Sequence, residues 1–109
     1  MYLVTGGSDS SGYAISNTEL LTQEDSSWIM LSGSGDLPQS RAALRSVSIN
    51  NEIIVSGGNC ACSIGATYDN IVKFDPSTLQ WLQVDTMKQP RSNHGMSVVN
   101  VADIIEYCV

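Results

Sequence analysis

A chain that repeats itself at a fixed interval has few folds open to it, because each repeat buries its apolar face only against a neighbour. Here Gly6-Gly7 returns as Gly57-Gly58 after 51 residues, Trp28 as Trp81 after 53, and Arg41 as Arg91 after 50. The markers keep their order and agree to within three residues. That regularity makes the interval the primary constraint on the fold.

The segments between markers carry strand patterns. Tyr2-Leu3-Val4-Thr5 and Glu52-Ile53-Ile54-Val55-Ser56 are apolar and β-branched, and each runs into a double glycine. Arg45-Ser46-Val47-Ser48-Ile49 alternates with period two, and Asn50-Asn51 predicts a tight hairpin into the next strand. Asn70-Ile71-Val72-Lys73-Phe74 stops at the turn former Asp75-Pro76-Ser77, and Leu79-Gln80-Trp81-Leu82-Gln83-Val84 alternates again. Met96-Ser97-Val98-Val99 and Ala102-Asp103-Ile104-Ile105 occupy the next two strand positions. Residues 18–31 also admit a helix, but Asp25-Ser26-Ser27 interrupts it, and the repeat predicts two strands joined by a turn. The unit is therefore four short antiparallel strands in roughly 50 residues, the size of a propeller blade.

Composition narrows the function classes. With 42% hydrophobic and 15% charged residues the 109-residue chain has the make-up of one folded domain. A net charge of −6 with five Lys plus Arg excludes a phosphate-tracking surface, so no nucleic-acid partner is expected. No apolar run reaches the ~20 residues that cross a bilayer, and the first residues lack the pattern of a signal peptide. Three cysteines, an odd number, speak against a disulfide framework. These readings point to a cytoplasmic protein without a membrane partner.

At this level of detail the chain resembles the kelch repeat family. Its complete unit comprises Arg41, Asn50-Asn51, Ile53-Ile54-Val55-Ser56-Gly57-Gly58, Tyr68, Phe74-Asp75-Pro76 and Trp81, and Arg91-Ser92-Asn93-His94-Gly95 opens the next. The resemblance implies an all-β fold of kelch-type β-propeller blades, each of four antiparallel strands. Two blades and part of a third are expected, with the ring incomplete: a partial blade over 1–31, a complete one over 41–84 and the start of a further one over 91–109. Gly6, Gly7, Gly57 and Gly58 would serve the positive-φ strand ends, and Trp28 and Trp81 the packing between blades. The pattern departs at Thr22-Gln23-Glu24-Asp25, where an Asp-Pro turn is expected, and at residues 104–108, where glycines are.

Catalytic chemistry finds little support. Cys60-Ala61-Cys62 has C-x-C spacing with no second ligand pair, which reads as loop thiols and not as a metal site. His94 is the one histidine and falls at a blade-packing position. Catalytic members of the family hold copper with several Tyr and His side chains, which this chain cannot supply. No cofactor and no metal are expected. Asp9-Ser10-Ser11-Gly12 and Gly33-Ser34-Gly35-Asp36 do not link a strand to a helix, so neither is a phosphate-cradling loop.

The resemblance instead implies a protein–protein interaction scaffold whose loops meet a protein or peptide. By position these are residues 8–13, 33–41, 59–69 and 87–93. Arg41, Arg91 and Asn93 at the blade entrances, with Tyr13 and Tyr68 as aromatic anchors, are the expected partner-binding residues. The commonest family context is the substrate-recognition part of a cullin-3 ubiquitin ligase adaptor. The alternatives are an actin-associated structural protein or a truncated kelch product. An incomplete ring also implies self-association through uncovered blade faces.

Overall fold

Asn50 and Asn51 take φ of 51° and 63°, the pair of left-handed residues that a type I′ turn requires. They join β4 (Arg45–Ile49) to β5 (Glu52–Ser56) with Ile49 facing Glu52, so the turn sets the register of the whole hairpin. The computed structural model describes residues 2–21, 27–31, 35–61 and 65–99. Five more strands complete it: β1 (Tyr2–Thr5), β2 (Thr18–Leu21), β3 (Ile29–Leu31), β6 (Asn70–Asp75) and β7 (Gln80–Thr86). All pairings are antiparallel and fall into two sheets, β1-β2-β3 and β4-β5-β6-β7.

Residues 18–31 thus form strands, as the repeat requires: β2 and β3 pair through Thr18 with Leu31 and Leu20 with Ile29. The turn expected at residues 22–25 and the strand expected at 102–105 lie outside the described residues. No strand forms over residues 96–99, contrary to the pattern. Alternation marks a segment that can pair, whereas a strand needs a neighbouring strand, and no described strand pairs with this segment.

Period-two burial builds the core. Along β6, Asn70, Val72 and Phe74 are buried, and Val72 lies opposite Val55 and Phe74 opposite Trp81. The Phe74 and Trp81 rings meet at 5.0 Å with a 56° tilt, the inclined packing that ring quadrupoles favour. Leu37 joins this cluster from the connection between the sheets, with Leu3 and Leu31 of the first sheet packed against it. The two sheets therefore share one apolar layer. Trp81 is only 6% exposed because the first sheet covers it. Trp28, its repeat counterpart, is 44% exposed because no described residue covers that side.

Candidate functional site

The ends of the two sheets are organised by backbone hydrogen bonds that repeat with the sequence. Gly7 N–H donates to Arg41 C=O at 2.8 Å, and Gly58 N–H donates to Arg91 C=O at 3.0 Å. Arg41 N–H donates to Ile15 C=O at 3.1 Å, and Arg91 N–H to Tyr68 C=O at 3.2 Å. Leu37 N–H to Ser16 C=O and Met87 N–H to Asp69 C=O, at 2.8 and 2.6 Å, extend the correspondence. The loop after each double glycine is thereby fastened to the segment that enters the next unit.

Glycine is needed where these segments meet. Gly57 and Gly58 have φ of 62° and 100°. A Cβ on Gly57 would lie 2.2 Å from the Arg91 carbonyl oxygen, and one on Gly58 2.8 Å from that of Ala42. The double glycine is thus fixed by close backbone approach as well as by φ.

Each post-glycine loop closes on itself. Ser8 bridges Ala14, and Asn59 bridges Thr67. Inside the first loop the Asp9 carboxylate accepts from the N–H groups of Ser11 and Tyr13 at 2.9 and 3.0 Å. Inside the second, Asn59 Oδ1 accepts from Ala61 N–H at 2.9 Å. The two loops are linked through Ala42, which exchanges N–H···O bonds with Asn59 at 2.8 Å in both directions. One end of the molecule therefore gathers residues 8–14, 35–43, 59–61, 65–69 and 87–93.

The expected partner-binding residues occupy unequal places on this end. Tyr13 is 67% exposed in the first loop, next to the Ser8–Ala14 bridge. Arg91 and Asn93 are also exposed, and Tyr68 is half-buried. Arg41 differs: its side chain is 0% exposed. Its guanidinium donates to Gly57 C=O at 3.0 Å and to Gln39 Oε1 at 2.7 Å, and sits 4.9 Å above the Tyr68 ring. Gln39 Oε1 also accepts from Asn70 Nδ2 at 3.1 Å, while Arg41 Nε finds no partner among the described residues. Burial holds the Arg41 pKa below its ordinary value. Arg41 is thus a cation enclosed between the sheets, where a partner on the surface does not reach it. A motif arginine can bond strand-end carbonyls in a packing role, and Arg41 does so at Gly57.

His94 Nε2 lies 2.7 Å from the hydroxyl of buried Ser56. That hydroxyl also donates to Met96 Sδ at 3.2 Å. Both bonds are satisfied together when Nε2–H donates to Ser56 Oγ and the serine proton points to sulfur. A serine so bonded gives no proton to the imidazole, so the pair is a tie between β5 and the segment after Arg91. His94 Nδ1 has no partner among the described residues, and burial, then Arg45 and Arg91, hold its pKa below the ordinary value.

Cys60, expected as a free thiol, is disulfide-bonded. Its partner, Cys62 or Cys108, lies outside the described residues. An odd cysteine count excludes complete pairing but leaves room for one bridge.

With the double-glycine and Arg positions now tied to repeating backbone bonds, likeness to known proteins can be placed on the structure. A family model described as the Kelch motif matches residues 40–88. An F-box/kelch-repeat protein of Arabidopsis thaliana is 32% identical over 100 residues, covering 85% of this chain and 22% of its own length. The chain belongs to the kelch repeat family. The solved structure of YjhT matches the kelch chain with a TM-score of 0.64 at 21% identity, over 88% of this chain and 31% of that one. The fold is that of kelch propeller blades. The kelch chain spans about a fifth of the curated relative and under a third of the solved structure.

Proposed function

We propose that the loop end binds a protein or peptide, making the chain an interaction module of the kelch type. The observation that carries this is the exposed Tyr13, held on a loop that Asp9 and the Ser8–Ala14 bridge keep in shape. A large amphipathic ring on a pre-ordered loop makes contacts at low entropic cost. This end carries exposed Asp9 and Asp69 beside exposed Lys88 and Arg91.

Affinity capture with the wild-type chain and with Tyr13→Ala tests the reading. A partner bound by the wild type should be weakened at least about tenfold by the substitution, as for an aromatic hot spot. Equal capture by both proteins would refute it.

The finer reading is that the chain belongs to the substrate-recognition part of a cullin-3 ubiquitin ligase adaptor. Support comes from the family context alone, since the curated relative's name joins kelch repeats to an F-box. An actin-associated structural role is the alternative. Co-precipitation of the full-length product with cullin-3 or with filamentous actin separates the two. We read the compartment as cytoplasmic from the composition, although the Cys60 disulfide favours an oxidising one. Fractionation of the tagged protein decides between them.

A further inference from the structure

The two junctions between a double glycine and the segment entering the next unit share one geometry and differ in chemistry. A Cβ on Gly6 would meet Leu44 Cδ2 at 2.8 Å, Arg41 C=O at 2.9 Å and Leu37 Cδ1 at 3.3 Å. A Cβ on Gly57 would meet Arg91 C=O, His94 Cε1 at 2.9 Å and Met87 Cε at 3.1 Å. Arg91, His94 and Met87 each stand 50 residues after Arg41, Leu44 and Leu37. The first junction is thus sealed by two leucines, the second by a methionine and a histidine. Of these four side chains only the imidazole takes up a proton near neutral pH.

The surroundings of His94 suit its neutral form alone. With Nε2–H donating to Ser56 Oγ at 2.7 Å and the serine proton going to Met96 Sδ at 3.2 Å, Nδ1 is the unprotonated nitrogen. Nδ1 is buried and has no partner among the described residues. A proton there would create an enclosed charged donor with no acceptor, which is costlier than an idle lone pair. The charged groups that face the ring are Arg45, at the start of β4, and Arg91, on the ring's own segment. Both are cations, while Ser56 of β5 and the two methionines are neutral, so no counter-charge offsets the proton.

We propose that His94 makes the second junction a proton-sensitive latch, holding residues 91–94 on the end of β5 when neutral and releasing them when protonated. The leucine-sealed first junction stays shut. Release undoes three backbone bonds: Gly58 N–H to Arg91 C=O, Arg91 N–H to Tyr68 C=O and Asn93 N–H to Ala43 C=O. The foot of the second loop then opens while that of the first does not. This inference is independent of the partner-binding reading, since it concerns the junction and not Tyr13.

Amide hydrogen exchange on the 109-residue chain, followed by NMR from pH 7 to pH 5, tests it. After correction for intrinsic rates, Gly58 and Asn93 should exchange about tenfold faster or more at the acid end. Gly7, which donates to Arg41 C=O in the first junction, should be unchanged. Imidazole ¹⁵N signals should show Nδ1 unprotonated at pH 7 and titrate with the same midpoint as the exchange. His94→Leu copies the residue that fills this place in the first junction and should abolish the response. Arg45→Gln, at an exposed residue, keeps the test open should that variant not fold: removing one facing cation should move the midpoint to higher pH. Equal acceleration at Gly7 and Gly58 would overturn the proposal. So would an acid response that persists in folded His94→Leu, or a midpoint that Arg45→Gln leaves in place.

Discussion

The indole N–H of Trp81 donates to the hydroxyl of Thr18 at 3.1 Å, joining the second sheet to the first across 63 residues of sequence. Thr18 is 0% exposed and also shares a hydrogen bond with Thr5 at 2.9 Å. Replacing Thr18 with Val keeps the shape and strands a buried N–H, which costs about 1–3 kcal/mol. Combining Thr18→Val with Trp81→Phe removes donor and acceptor together, so the double variant should lose less than the sum of the single losses. Urea denaturation of the four proteins measures that coupling.

Ala43 adopts a φ of 54° without being glycine. A left-handed conformation costs an ordinary residue about 1–2 kcal/mol, and asparagine less. Asn93 already fills the equivalent place in the next unit with φ of 53°. Ala43→Asn should therefore stabilise the fold by about 1 kcal/mol, read as a higher urea midpoint with an unchanged m-value.

The glycines should separate by their surroundings. Gly7 has φ of 95° with nothing within 4 Å of an added Cβ, so Gly7→Ala should cost only the conformational strain, about 1–2 kcal/mol. At Gly57 the Cβ would meet the Arg91 carbonyl, so overpacking adds to the strain and about 3 kcal/mol or more is expected. Thermal melts of both variants give the ranking, and equal losses would contradict it.

The pH dependence follows from His94. Its folded-state pKa lies below the ordinary 6.5, so the unfolded chain binds the proton more readily. Stability from this group is complete above about pH 6.5 and falls as the pH drops through that value towards the folded pKa. Asp75 is also shifted down, by the Ser77 hydroxyl and N–H first, and its contribution is lost only at lower pH, below the ordinary carboxylate value. Denaturation at pH 7 and pH 5.5 should show a drop that His94→Gln reduces. An equal drop in the variant would rule the histidine out.

The blades were legible because their determinants are local and recur. Double glycines end strands, paired asparagines turn them, and a tryptophan in an alternating run seeks a sheet to cover it. Arg41 shows where that legibility stops: its burial depends on Tyr68, Gly57 and Gln39 converging from three segments. Ala43 carries no turn signature, since its φ is imposed by its neighbours. Residues 96–99 hold a strand pattern without a described partner, and sequence alternation does not report whether the partner is there.

The closed feet of the two loops separate what lies above them from what lies below. Five residues stand between Ser8 and Ala14 and seven between Asn59 and Thr67, yet both rest on the same backbone footing. Lengthening such a tip costs little, about 0.6 kcal/mol per doubling of a flexible loop. Foreign recognition segments can therefore be grafted between Ser8 and Ala14 without disturbing the sheets, which makes the blade a frame for engineered binding.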